Sequence, residues 1–245
     1  MANYKMVLQY EGTRYDGWQK QGNTDSTIQG KLEQILTRMA GEPVEVSGSG
    51  RTDAGVHALA QVANFHLKTE EPPEAVMAYL NRYLPDDIRV LSLVEAAPRF
   101  HSRLNAREKT YIYRIETGAK RDVFARRMIF GLGRPLDVER MRQAAGLLVG
   151  EHDFFGYSSG KKTKKSTVRT IYELRVDRMG TEVQLAVRGN GFLYNMVRIL
   201  AGTLIEVGLG ERDPESVLAP IQKMDRRLAG MTAPAEGLAL AEVKY

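Results

Sequence analysis

Apolar and polar residues alternate from Tyr4 to Tyr10, the two-residue period of a half-buried strand. Asp25-Ser26-Thr27 then offers helix caps, and Ile28, Leu32, Ile35, Leu36 and Met39 follow at helical spacing until Gly41 ends the run. Val44-Glu45-Val46 and Gln61-Val62-Ala63-Asn64-Phe65 alternate again, the second continuing to Leu67. Pro72-Pro73 opens a helix reaching about Tyr83, residues 85–87 turn, and Ile88 to Val94 reads as a strand. The first half therefore runs strand, helix, strand, strand, helix, strand. Such a unit makes a sheet with helices on one face and leaves the other face open for a ligand.

A second cycle follows without evident sequence repetition. From Arg107 to Tyr113 the alternation places Lys109, Tyr111 and Tyr113 on one face. Pro135-Leu136-Asp137 introduces a helix carrying Val138, Met141, Ala145, Leu148 and Val149. Thr170 to Val176 and Glu182 to Val187 are two more alternating strands. A turn at residues 188–195 leads into a long apolar helix ending near Val207. Residues 214–223 read as a short helix and Leu238 to Tyr245 as a final strand. Two α/β halves, 1–103 and 104–245, meet in the segment 96–106.

The chain has 245 residues and no cysteine, which excludes disulfides, cysteine nucleophiles and thiolate zinc sites together. No apolar run approaches the ~18 residues needed to span a bilayer. The amino terminus runs straight into the first strand with no signal-peptide pattern, so a cytoplasmic protein without membrane attachment is expected. A net charge of +5 is modest support for a polyanionic partner, and its distribution says more. Arg99, His101, Arg103, Arg107, Lys109 and Arg114 are interleaved with Phe100, Tyr111 and Tyr113, and Lys120, Arg121, Arg126 and Arg127 follow. That mixture suits RNA, whose phosphates take cations and whose unstacked bases take aromatic rings. Lys161, Lys162, Lys164 and Lys165 lie among glycine and serines in 158–166, with no apolar anchor. A loop that is mobile when free and meets phosphate is expected there.

The densest chemistry lies in Gly48-Ser49-Gly50-Arg51-Thr52-Asp53-Ala54-Gly55-Val56-His57-Ala58. Its glycines allow positive φ and close approach by another backbone. Arg51 and Asp53 stand two apart, share a face if the segment is extended, and would then pair, holding the carboxylate ionised. A glycine-rich hairpin with a surface ion pair has the same spacing. A second polar loop, Glu11 to Gln21, holds Asp16 and the only tryptophan, Trp18. Trp18 either stacks on a base or anchors the loop to the core. His57 either takes part in acid–base chemistry or is a hydrogen-bonded loop histidine.

Gly-Arg-Thr-Asp-Ala-Gly-Val-His-Ala, followed by Gln61-Val62, resembles the catalytic motif of the TruA-type tRNA pseudouridine synthases. Tyr15-Asp16-Gly17-Trp18-Gln19, Lys109-Thr110-Tyr111, Gly150-Glu151-His152-Asp153-Phe154 and Phe192-Leu193-x-x-Met196-Val197-Arg198 resemble further segments of that family, so the likeness covers nearly the whole chain. It implies an α+β fold, with two α/β halves whose mostly antiparallel sheets join into one extended sheet flanked by helices around a basic central cleft. It also implies Asp53 as the catalytic carboxylate, Tyr111 stacked on the target base, and Arg198 paired with the aspartate. Arg51 would fill the space the base vacates. Asp16, Trp18, His57 and Lys109 fall to supporting or RNA-contacting roles. The implied reaction isomerises uridine to pseudouridine at positions 38 to 40 of the tRNA anticodon stem-loop, in a homodimer, with no cofactor or metal. Two rivals remain on the residues alone: an RNA-binding module without activity, and a hydrolase using Asp53 with Asp16 or His57.

Overall fold

The computed structural model describes residues 1–22, 24–160 and 165–245. Lys161, Lys162 and Lys164 of the lysine-rich loop therefore lie outside the described residues. The chain forms two compact units, one of Met1–Arg107 with Leu240–Tyr245 and one of Glu108–Ala239. Each is of the α+β class, a mostly antiparallel sheet with helices.

In the first unit, β1 (Ala2–Tyr10) lies between β3 (His57–Leu67) and β4 (Ile88–Ala96), antiparallel to both, and the short β2 (Val46–Gly48) pairs with β3. The register sets Tyr4 opposite Phe65 and Met6 opposite Ala63, and the Tyr4 and Phe65 rings stack at 5.5 Å. Helix α1 (Ile28–Ala40) begins where Thr27 Oγ1 accepts the Gly30 N–H and ends at Gly41 with φ +73°, so both sequence signals act as expected. Its buried stripe of Ile28, Leu32 and Leu36 is the one the spacing marks. Helix α2 (Pro73–Tyr83) starts at the proline pair.

β2 corrects one expectation. Alternation put that strand at Val44-Glu45-Val46, whereas the ladder begins at Val46 and runs to Gly48. The Val44 N–H is taken by Thr37 Oγ1 and the Val46 N–H by the buried Glu33 carboxylate, so α1 holds this end of the segment and the ladder with β3 starts at Val46.

The second unit is built on β5 (Glu108–Glu116), with the two-residue β6 (Phe130–Gly131) parallel to it. Helix α3 (Val138–Leu147) is capped by Asp137, as expected. β7 (Gly150–Asp153), β8 (Val168–Met179) and β9 (Glu182–Gly189) complete the antiparallel order β5-β9-β8-β7. The His-Asp-Phe turn is structural: Asp153 closes β7 and accepts the Phe155 N–H, opening a 3-10 turn over Phe154–Tyr157. Helix α4 (Met196–Gly208) is buried along most of its surface, in keeping with its apolar sequence. The short helix expected at 214–223 divides into a 3-10 turn at Pro214–Leu218 and α5 (Ala219–Gln222). The closing strand is β10 (Leu238–Lys244), whose residues from Leu240 onward belong to the first unit.

The first residues of the lysine-rich loop are held to the fold. Ser158 is buried, and the Ser159 N–H donates to the Tyr194 carbonyl at 3.1 Å. Among the described residues no helix is long and apolar enough to cross a membrane.

Candidate active site

In the first unit Asp53 sits on a loop held from two sides. On the β3 side the organiser is Gln61, which is fully buried. Its Oε1 accepts from Ser49 Oγ at 2.6 Å and from its neighbour Val62 N–H at 3.2 Å, while Nε2 donates to the Gly50 carbonyl at 3.1 Å. Ser49 N–H bonds the Val62 carbonyl at 2.7 Å, closing the entry to the loop. Thr52 Oγ1 and Tyr10 Oη lie 2.8 Å apart, and burial pushes the Tyr10 phenol far above its ordinary range, so that hydroxyl stays neutral.

On the other side the Glu11–Gln21 loop grips the same residues. Trp18 N–H donates to the Thr52 carbonyl at 3.0 Å and Gly55 N–H to the Tyr15 carbonyl at 3.3 Å. Two glycines permit the approach: a Cβ at Gly12 would stand 2.0 Å from the Val56 carbonyl oxygen, and one at Gly17 2.7 Å from that of Thr52. The Val56 N–H returns to the Asp53 carbonyl at 3.1 Å, with Gly55 at φ +77°. Asp53 thus stands half-buried at the start of a tight turn whose backbone has little freedom.

The loop settles the alternatives for its aromatic residues. Trp18 is 2% exposed, near Tyr10 (6.2 Å between rings) and over Gly48, where a Cβ would come within 2.4 Å of its ring. It anchors the loop and has no face for a base. His57 is fully buried and accepts the Gly12 N–H through Nδ1 at 2.9 Å, a structural bond between the two loops. Asp16 is exposed and accepts from Thr24 Oγ1 at 2.6 Å.

The Arg51–Asp53 ion pair expected from spacing does not form. Arg51 is exposed and meets no carboxylate among the described residues. The chain turns at Asp53, so the extended geometry on which such pairing depends ends there.

Removing the Gln61 hub is expected to loosen Asp53 without touching it. Gln61→Leu leaves the Ser49 hydroxyl and Gly50 carbonyl without their buried partner, at a cost of about 3 kcal/mol. A lower urea midpoint at unchanged slope checks this.

The second unit carries Tyr111 and Arg198. Tyr111 lies on β5 opposite Val187, 8% exposed, on the face shared with Lys109 and Tyr113 as alternation requires. Lys109 is half-exposed at the head of that strand. Tyr113 is fully buried, its hydroxyl donating to the Pro234 carbonyl at 2.9 Å. The Phe192 ring stands edge-on to Tyr111 at 5.3 Å and 87°. Gly189 makes room for it, since a Cβ there would lie 3.3 Å from the Phe192 ring.

Arg198 is half-buried on the first turn of α4, and its guanidinium is aimed by its neighbours. Nε donates to the Ala233 carbonyl at 2.7 Å and Nη1 to Asn195 Oδ1 at 3.1 Å. Asn195 occupies the left-handed region at φ 60°, where asparagine is tolerated better than most residues. It stands at the N-cap of α4, yet its side chain caps no N–H and bonds Arg198 instead. Sequence reasoning passed over Phe192, Asn195 and Gln61 as working residues. The available signals were an asparagine just before a helix, three residues from an arginine, and a glutamine inside an apolar strand. Among the described residues no three histidines or carboxylates are grouped to hold a metal ion.

The chain matches the family described as tRNA pseudouridine synthase over residues 6–104 and 144–245. It is 47% identical over 245 residues to the tRNA pseudouridine synthase A of Bacillus sp. (strain KSM-64), with both chains covered completely. The tRNA pseudouridine synthase A 2 of Bacillus cereus (strain ZK / E33L) is 45% identical over 245 residues, again all of both chains. That of Clostridium tetani is 43% identical over 244 residues, covering 99% of this chain and 98% of its own. Among solved structures, a chain of a Cbf5-Nop10-Gar1 complex aligns with 97% of this chain and 48% of its own length, at 15% identity and a TM-score of 0.41.

Proposed function

The chain belongs to the tRNA pseudouridine synthase family, and from that premise we propose that it acts in the anticodon stem-loop, on uridines 38 to 40, with Asp53 as the essential carboxylate. The overall reaction is the family's isomerisation of uridine to pseudouridine in tRNA. The uracil N1–C1′ bond breaks, the ring turns, and C1′ bonds to C5, which gives up its hydrogen while N1 gains one. Substrate and product have the same composition. The step calls for one carboxylate, as a nucleophile or as a base towards the sugar.

The observation that carries this reading is the braced Asp53 loop. A catalytic group must be held in place before the substrate arrives, and the bonds of Gln61, Tyr15 and Trp18 do that for the segment around Asp53. Tyr111 takes the role of stacking on the target base, backed by Phe192. Arg198, already oriented by Asn195 and the Ala233 carbonyl, takes that of pairing with the carboxylate and keeping it ionised. Arg51, exposed and without a carboxylate partner, is placed in the space left by the extruded base. Extrusion of the base costs a few kcal/mol. The protein works in the cytoplasm as a homodimer.

The test is a tRNA transcript incubated with the protein, labelled with a carbodiimide that marks pseudouridine, and read by reverse transcription. New stops confined to positions 38 to 40 are expected. Stops elsewhere in the tRNA, with none in this window, would overturn the assignment.

A further inference from the structure

Between Glu95 and Glu108 the chain carries Arg99, Arg103 and Arg107 and no acidic residue. Among the described residues none of these arginines forms an ion pair. Leu104 stands between two of them at 77% exposure. An isolated exposed leucine means little by itself. This one tips a turn that is firmly built.

Ser102 is fully buried and bonded three ways. Its N–H donates to Asn64 Oδ1 at 2.9 Å, its Oγ to the Ser47 carbonyl at 2.6 Å, and its carbonyl accepts from Tyr245 Oη at 2.8 Å. Across the turn, Asn105 Oδ1 accepts the His101 N–H at 2.7 Å, the His101 carbonyl accepts the Asn105 N–H at 3.0 Å, and His101 Nδ1 accepts the Arg103 N–H at 3.1 Å. Side chains from both ends thus hold the backbone that presents Leu104 to solvent.

The place where this turn docks links it to the chemistry. Ser47 and Asn64 are cross-strand partners in the β2–β3 ladder, and β2 runs directly into the Asp53 loop. Asp53 lies six positions after Ser47, roughly 20 Å at full stretch. An apolar tip between two arginines, set on the strand that feeds the catalytic loop, matches the chemistry of a stacked, phosphate-flanked base step. Apolar side chains wedge between such steps and part them, while cations hold the neighbouring phosphates.

We propose that Leu104 is a wedge pressed against the stacked bases beside the target uridine, with Arg103 and Arg107 on the flanking phosphates, and that it lowers the cost of extruding a paired uridine. The inference rests on the pseudouridine synthase reading. Its occupant is a base-paired stretch of RNA. Leu104 is a positioning residue, since it acts on the stack and not on the reacting atoms.

The experiment compares single-turnover rates of wild type and Leu104→Ala on two tRNAs. One has the target uridine paired in the stem, and the other has a mismatch opposite it, so that the base is already loose. Because tenfold in rate corresponds to 1.4 kcal/mol and unstacking costs a few, Leu104→Ala is expected to slow the paired substrate about tenfold or more and the mismatched one less than about twofold. Arg103→Gln should weaken binding of both tRNAs alike and flatten the salt dependence. Equal loss on both tRNAs, or no loss on either, would overturn the wedge while leaving the enzyme intact. A Leu104→Ala protein that sediments as a smaller species than wild type would overturn it too, by showing that the leucine covers a second copy of the chain. A wild type inactive on both tRNAs would remove the parent reading and the wedge with it.

Discussion

Asp53→Asn will bind tRNA as tightly as the wild type and form pseudouridine at least about 10³-fold more slowly, the range lost when a positioned acid–base or nucleophilic group is removed. Asparagine keeps the shape of the side chain and loses its charge. Bonds that set the loop are made by the backbone of Asp53 and by the side chains of Gln61, Ser49 and Thr52, and the substitution keeps all of these. Filter binding and single-turnover kinetics on the same preparation separate the two effects. Weakened binding in proportion to the lost rate would make Asp53 a tRNA-binding residue and nothing more.

Gly12→Ala will fail differently, losing stability and activity together. Its new methyl group would sit 2.0 Å from the Val56 carbonyl oxygen and 2.7 Å from the carbon behind it. Both are backbone atoms of the segment that forms the turn at Asp53, so no side chain can swing aside. The 3-10 turn at Gly12–Arg14 must retreat instead. That pulls the Gly12 N–H from the buried His57 and the Glu11 N–H from the Asp87 carbonyl. Overpacking against backbone together with a broken buried hydrogen bond gives an expected loss of about 3 kcal/mol or more. Thermal or urea unfolding measures it. Gly146→Ala is the control, because nothing lies within 4 Å of the added carbon on α3 and alanine favours a helix by about 1 kcal/mol over glycine. Equal stability for the two variants would mean that the loops are not packed as described.

Much of this architecture was legible because local rules and tertiary packing agree. Thr27 and Gly41 bound α1, the proline pair opens α2, and the alternation around Tyr111 gave its face correctly. Reading stopped where a residue answers to a distant partner. β2 contains Val46, Ser47 and Gly48, and the last two carry no strand preference; they pair because β3 is beside them. Gln61 reads as the polar half of an alternation, and only the fold shows that its amide gathers Ser49 and Gly50 beneath the Asp53 loop. The Arg51–Asp53 pair failed because two-residue spacing implies a shared face only while the chain stays extended. Trp18 in a polar loop was compatible with two opposite environments, and the glycine at position 48, beneath its ring, decided for the interior.

The rank of Asp53 is less visible in geometry than in the family motif that contains it. What the structure adds is the reason for so many small and polar residues in this motif and in the Glu11–Gln21 loop against it. Gly12, Gly17 and Gly55 let three backbones converge, and Gln61, Ser49 and Thr52 tie them. A motif with this composition specifies a rigid platform for one carboxylate.

The measurement that bears most directly on the whole account is tritium release from tRNA carrying 5-tritiated uridine. Forming the C1′–C5 bond must expel the hydrogen at C5, whatever role the carboxylate plays in breaking the N1 bond. Wild type is expected to release tritium in step with pseudouridine formation, leaving the RNA chain uncut and no free uracil. Free uracil or shortened RNA would instead identify a hydrolase, and tRNA binding without any release would contradict the isomerase altogether.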